Sequence, residues 1–136
     1  MKILIISSKV FYDKIPEIQK TLEDAGHVIS LPNCVNDPGT EARYRNMGID
    51  EHAKWKAGML RHSADVIRDM DAVLVLNFEK NGVKNYIGGA TFLEMYEAFK
   101  LNKKIFLYND IPEGMLKDEI SGFSPIVING ELGMVI

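Results

Sequence analysis

The segment Asn85-Tyr86-Ile87-Gly88-Gly89-Ala90-Thr91-Phe92-Leu93-Glu94-Met95-Tyr96-Glu97-Ala98 holds the residues best suited to chemistry in this chain of 136 residues. Gly88 and Gly89 let the backbone pass close to a ligand. A helix starting just after them offers free N–H groups and the positive end of its dipole. Glu94 follows within about a turn, in the apolar company of Phe92, Leu93, Met95, Tyr96, Ala98 and Phe99. A carboxylate in that setting can serve as a nucleophile. The same spacing has a structural reading. Thr91-x-x-Glu94 is a capping box, in which Thr91 caps the Glu94 N–H and Glu94 reaches back to the Thr91 N–H. Glu97 reads as a solvated helix carboxylate.

Other chemistries find no support. No G-x-G-x-x-G follows the first apolar run, and no G-x-x-x-x-G-K-[ST] occurs anywhere, so dinucleotide and P-loop fingerprints are absent. A response-regulator phosphoacceptor would be an Asp at the end of the third strand, where Asn77 stands. An FMN-binding relative would need a Thr/Gly-rich phosphate loop, which Ser7–Tyr12 lacks. His27, His52 and His62 are not at metal-ligand spacing on one helix face, and Cys34 is the sole cysteine. The expectation is therefore no metal, no cofactor, no internal disulfide and a reducing, cytoplasmic setting.

The elements that must position these residues follow from hydrophobic patterning. Short apolar runs near 2–6, 27–31, 72–77, 104–108 and 125–128 read as strands, and Ala72-Val73-Leu74-Val75-Leu76 is the strongest. Ile15, Ile18, Leu22 and Ala25 recur at helical spacing, with Asp13 as N-cap and Gly26 as stop. Ala53, Ala57, Leu60, Ala64 and Ile67 form a stripe on a helix over 50–69. A further helix covers 90–101, and a helical turn lies near 116–120. Residues 32–48 lack a period and read as a long loop, a candidate lid. Strand and helix in alternation specify βαβ units. The expected fold is a flavodoxin-like or Rossmann-like three-layer α/β sandwich around a five-stranded parallel sheet. Ligands of such sheets bind beyond the carboxyl ends of the strands, at the switch in strand order. That directs the search to Ser7–Tyr12, Pro32–Gly48, Asn77–Thr91 and Asn109–Glu113.

Length and composition agree with a single domain over 1–136. Hydrophobic residues are 46% and charged residues 26%, as in ordinary globular chains. Sixteen basic and nineteen acidic residues are well mixed, for a net charge of -3, with no basic stripe for nucleic acid. No apolar run approaches the roughly 20 residues needed to span a bilayer.

The stretch Asp71–Tyr108 resembles the core of the nucleoside 2-deoxyribosyltransferase-like superfamily, which includes deoxyribosyltransferases and nucleotide N-glycosidases. The resemblance lies in Asp71 before a strand, the Gly88-Gly89 turn, Thr91-x-x-Glu94-x-x-x-Ala98, and the strand opened by Lys103-Lys104-Ile105. The opening strand, Ser7-Ser8 and the helix to Gly26-His27 are similar too. Over its whole length the chain resembles a branch of small bacterial and archaeal proteins carrying Asn-Tyr-Ile-Gly-Gly and Pro-Ile-Val-Ile-Asn-Gly. The resemblance implies a nucleoside or nucleotide ligand and a covalent glycosyl transfer or hydrolysis through Glu94. It implies sugar or phosphate contacts from Ser7, Ser8, Gly88 and Gly89, and places Asn77 and Asn85 at the ligand. Two departures stand out: no acid occurs in Asn85-Tyr86-Ile87-Gly88, and Asn77 replaces a common Asp. Asp37, Asp50 and His52 are the candidate substitutes, and Tyr12 and Tyr86 the candidate hydroxyl partners of Glu94. A non-catalytic nucleotide-binding or sensor module on the same scaffold is the alternative. Trp55, Met59 and Tyr96 exceed what one small core needs, and related enzymes share sites between subunits, so a homodimer is expected.

Overall fold

Five parallel strands form one sheet in the order β2-β1-β3-β4-β5 in a computed structural model that describes residues 1–136. The strands are β1 (Lys2–Ser7), β2 (Val28–Ser30), β3 (Ala72–Leu76), β4 (Lys104–Leu107) and β5 (Ile126–Val127). All four pairings are parallel, so the chain has the three-layer, flavodoxin-like α/β fold. The sheet is apolar on both faces because helices cover both. Leu4, Ile6, Val73, Val75, Ile105 and Leu107 point to one face, against Ile67, Met95, Ala98 and Ile120. Ile3, Ile5, Ala72, Leu74, Leu76 and Phe106 point to the other, against Ile15, Ile18, Leu22 and the C-terminal Val135. The register Leu4↔Val73↔Ile105 keeps these alternating sets in line.

The helices are α1 (Ile15–Asp24), α2 (Thr40–Asn46), α3 (Ile49–Arg68), α4 (Gly89–Lys100) and α5 (Lys117–Gly122). None is long and apolar enough to cross a membrane. Two local expectations are corrected. Asp13 does not cap α1: it belongs to a 3-10 turn over Lys9–Lys14, and α1 starts where Pro16 can occupy its first turn. Residues 32–48 are not loop throughout, since α2 forms within them. At seven residues α2 is too short to persist alone. It is held from α3 by Glu41 bonds to Lys56 and His52, both 2.9 Å, and by Tyr44 stacked on Trp55. Gly48, at φ 113°, separates α2 from α3 in a conformation side chains resist. Between β3 and α4, Asn81-Gly82 turns a small antiparallel bridge from Lys80 to Val83.

Candidate functional site

The strand order reverses between β1 and β3, and a cavity of about 360 Å³ opens there. Ser7, Ser8 and Tyr12 reach it from the end of β1 and the 3-10 turn, and Asn33 and Cys34 from the end of β2. Glu41 enters from α2. Trp55, Lys56, Met59, Leu60 and Ser63 come from one face of α3. Lys80, Tyr86 and the start of α4, Gly88 through Thr91 with Glu94, complete it.

Glu94 does not close a capping box. Gly88 is the N-cap of α4, and the helix start carries no side-chain cap bond. The helix begins three residues earlier than a Thr91 cap requires, with Gly88 as N-cap and Gly89 as its first residue. Thr91 is thereby already inside the first turn, and Glu94 a turn further on faces the cavity. Burial pushes its carboxyl up to about 7, while the Ser63 hydroxyl and the Lys56 ammonium pull the other way. The Ser63 Oγ also accepts a bond of 2.8 Å from Asn33 Nδ2, which fixes the hydroxyl between α3 and the end of β2. Thr91 is only 4% exposed, and its hydroxyl has no side-chain hydrogen bond to the protein although it lines the cavity.

Glu41 is the second carboxylate of the cavity, in the opposite state. Burial works to raise its pKa, but hydrogen bonds from Lys56 and His52, with Arg45 at 3.4 Å, outweigh that and hold it down to about 2. The two carboxylates therefore differ sharply at neutral pH. One is a permanent, ion-paired anion; the other is poised to titrate. The Tyr12 hydroxyl donates to Asn33 O at 3.0 Å, and burial with the nearby Glu94 charge pushes it up to about 12. It is thus a neutral donor aimed at the backbone, without a hydrogen bond to Glu94.

Of the residues expected at the ligand, Ser7, Ser8, Gly88, Gly89 and Glu94 meet around this cavity. Asn77 and Asn85 are not among its lining. Asn77 is fully buried. Its Nδ2 donates to Asn109 O and Asp110 O at 3.2 and 2.9 Å, and its Oδ1 accepts from Asn109 N at 2.8 Å. The amide ties β3 to the turn after β4, with no polar atom left for a ligand. Asn85 takes φ 55° in the turn before α4, a backbone role Asn tolerates. Asp71 accepts from Lys2 N at 2.7 Å, next to the first residues of β1 and β3, at the end of the sheet away from the cavity. Among the suggested substitute acids, Asp37 is clamped by Arg43 at 2.7 Å outside the cavity, Asp50 is exposed, and His52 reaches Glu41 only from behind. Trp55 and Met59 line the cavity, while Tyr96 is exposed on α4.

Glu41, Lys56 and Ser63 were missed from the sequence. Lys56 and Ser63 are seven apart on α3, two turns along one face, which is a readable signal once that face is known to roof a site. Glu41 and Lys56 are fifteen residues apart on different helices, and no local pattern joins them. No protein-family model matches the chain, and no curated protein matches it significantly.

Proposed function

We propose that the cavity binds a nucleoside or nucleotide and that Glu94 cleaves or transfers at its N-glycosidic bond. One observation carries this reading. Glu94 faces a cavity shared with Ser7, Ser8, Gly88 and Gly89 rather than folding back as a cap. A sugar placed against the start of α4 meets the free N–H groups of Gly88–Ala90 and the Thr91 side chain that lines the cavity. The anomeric carbon then lies within reach of the carboxylate. In the first step a Glu94 oxygen attacks that carbon, the C–N bond breaks with its electrons passing to the base, and a glycosyl ester forms. Water, or a second base, then displaces Glu94. The ionised carboxylate is the attacking form, so partial burial that keeps its charge poorly solvated makes it a stronger nucleophile while raising its pKa.

The experiment is incubation with pooled nucleosides and nucleoside monophosphates, with chromatography for released free base. Glu94→Gln is expected to lower release by orders of magnitude and leave ligand binding intact. Substantial release by that variant removes the mechanism. A binding module without turnover is the second reading, favoured by the ion-paired state of Glu41, the other carboxylate of the cavity. Binding of a nucleotide with no base released by the wild type selects it. The homodimer remains part of the proposal, now through Leu93, Tyr96 and Phe99, which are exposed on α4. Light scattering at micromolar concentration checks it, and a monomer counts against it.

A further inference from the structure

Departure of a base from a sugar needs a proton as well as a nucleophile, and no second free carboxylate stands in the cavity to give it. We propose that Lys56, held in place by Glu41, supplies that proton and takes it back in the second step. This assignment rests on the reading of Glu94 as nucleophile.

Three lysines line the cavity, and they differ in placement. Lys9 is exposed at its mouth. Lys80 lies over the Tyr86 ring, 4.7 Å from its centroid. Lys56 projects from α3, is anchored 2.9 Å from Glu41 and sits 5.1 Å from the centroid of Trp55. It is also the one lysine whose charge acts on Glu94. The remaining protic groups are less apt. The Tyr12 proton is committed to Asn33 O, and Ser63 Oγ is placed between Asn33 and Glu94. Glu41 is an anion with no proton to give.

The balance of charge favours Lys56. Before reaction the Lys56 ammonium stands between two carboxylates of the cavity, paired with Glu41 and acting on Glu94. As Glu94 bonds to the anomeric carbon it becomes a neutral ester. The C–N electrons go to the base, which takes a proton from Lys56 Nζ and leaves as the neutral free base. Lys56 is then a neutral amine opposite a neutral ester, while the Glu41 anion keeps its contacts with His52 and Arg45. In the second step the amine accepts a proton from water while the water oxygen bonds to the anomeric carbon. The ester bond breaks, Glu94 leaves as carboxylate, and the ammonium is restored beside the Glu41 anion. The same group acts first as acid and then as base, as microscopic reversibility requires.

The test separates proton supply from charge and from folding. Guanosine and inosine, as nucleosides and 5′-monophosphates in ribo and 2′-deoxyribo form, are compared with their 7-methyl derivatives. The 7-methyl bases are already cationic in the substrate and depart without a proton. Base release is followed in a single turnover with enzyme in excess, so only the first step is read. Lys56→Met and Lys56→Arg are the variants. Arg keeps the charge and the pairing with Glu41 but does not release its proton at accessible pH. Release from the ordinary substrates is expected to fall about 100-fold or more in both variants, the scale of a lost general acid. Release from the 7-methyl substrates is expected to stay within about 10-fold of wild type in Lys56→Arg, since proton supply is no longer required. Equal losses on both substrate sets, or full activity of Lys56→Arg on the ordinary ones, overturns the assignment and leaves Glu94 as nucleophile standing. Wild-type protein that releases base from neither set overturns the Glu94 reading, and the Lys56 role falls with it.

Discussion

Replacing Glu94 by Gln should stabilise the protein in a pH-dependent way. The carboxyl rises from 4.5 to about 7 on folding, chiefly through burial. At about 1.4 kcal/mol per pH unit, that difference is worth about 3 kcal/mol. The folded protein holds a proton on Glu94 between those two values while the unfolded chain has released it. Stability therefore falls as pH rises through that window, and the full penalty is present above about pH 7. Gln has the same shape and no charge to desolvate. It forgoes no cap, because Glu94 makes none. Urea unfolding of both proteins at pH 4 and pH 8 isolates the effect, since every other group titrates alike in both. The two should be nearly equal at pH 4. At pH 8 the variant should be more stable by about 3 kcal/mol, or on the order of 10 °C in melting temperature for a domain of this size. A difference of one size at both pH values, or a variant less stable at pH 8, refutes the burial of a titrating carboxylate in this cavity.

Base release under single-turnover conditions should rise with pH through about 7, because ionised Glu94 attacks; a rate that falls over pH 5–7 contradicts that role. Asn77→Ala should cost about 2–4 kcal/mol through three lost hydrogen bonds and a buried void, with little change in ligand affinity once folded, measured by denaturation and binding. Trp55 is the single tryptophan and lines the cavity, so its fluorescence should respond to nucleotide titration in saturable fashion; tight binding without a spectral change places the ligand elsewhere.

The order and parallel packing of the elements were legible because they depend on short-range patterning. Short, β-branched apolar runs such as Ala72–Leu76 fit strands buried on both faces, and β1, β3 and β4 fall where those runs lie. The weak edges were less distinct: β5 keeps two residues, because a strand with one neighbour pairs only where Phe106 and Leu107 reach it. Gly88-Gly89 and Glu94 could be placed at the sheet's ligand edge from the strand–turn–helix order alone. Whether Glu94 capped the helix or faced the cavity could not. Thr91-x-x-Glu94 satisfies both, and the choice turned on where α4 starts, at Gly89 with Gly88 as its N-cap.

Local sequence therefore determined the sheet, its layers and the edge where a ligand belongs, since each depends on periodicity within a single element. Tertiary structure alone decided the chemistry of that edge. It folded α2 against α3 through Glu41, Lys56 and His52, too far apart in sequence for any local signal. It turned Asn77 from a ligand contact into a clamp on Asn109 and Asp110. It also gave two glutamates of one cavity opposite ionisation, because a carboxylate's proton affinity is set by the charges and solvent around it and not by its neighbours along the chain.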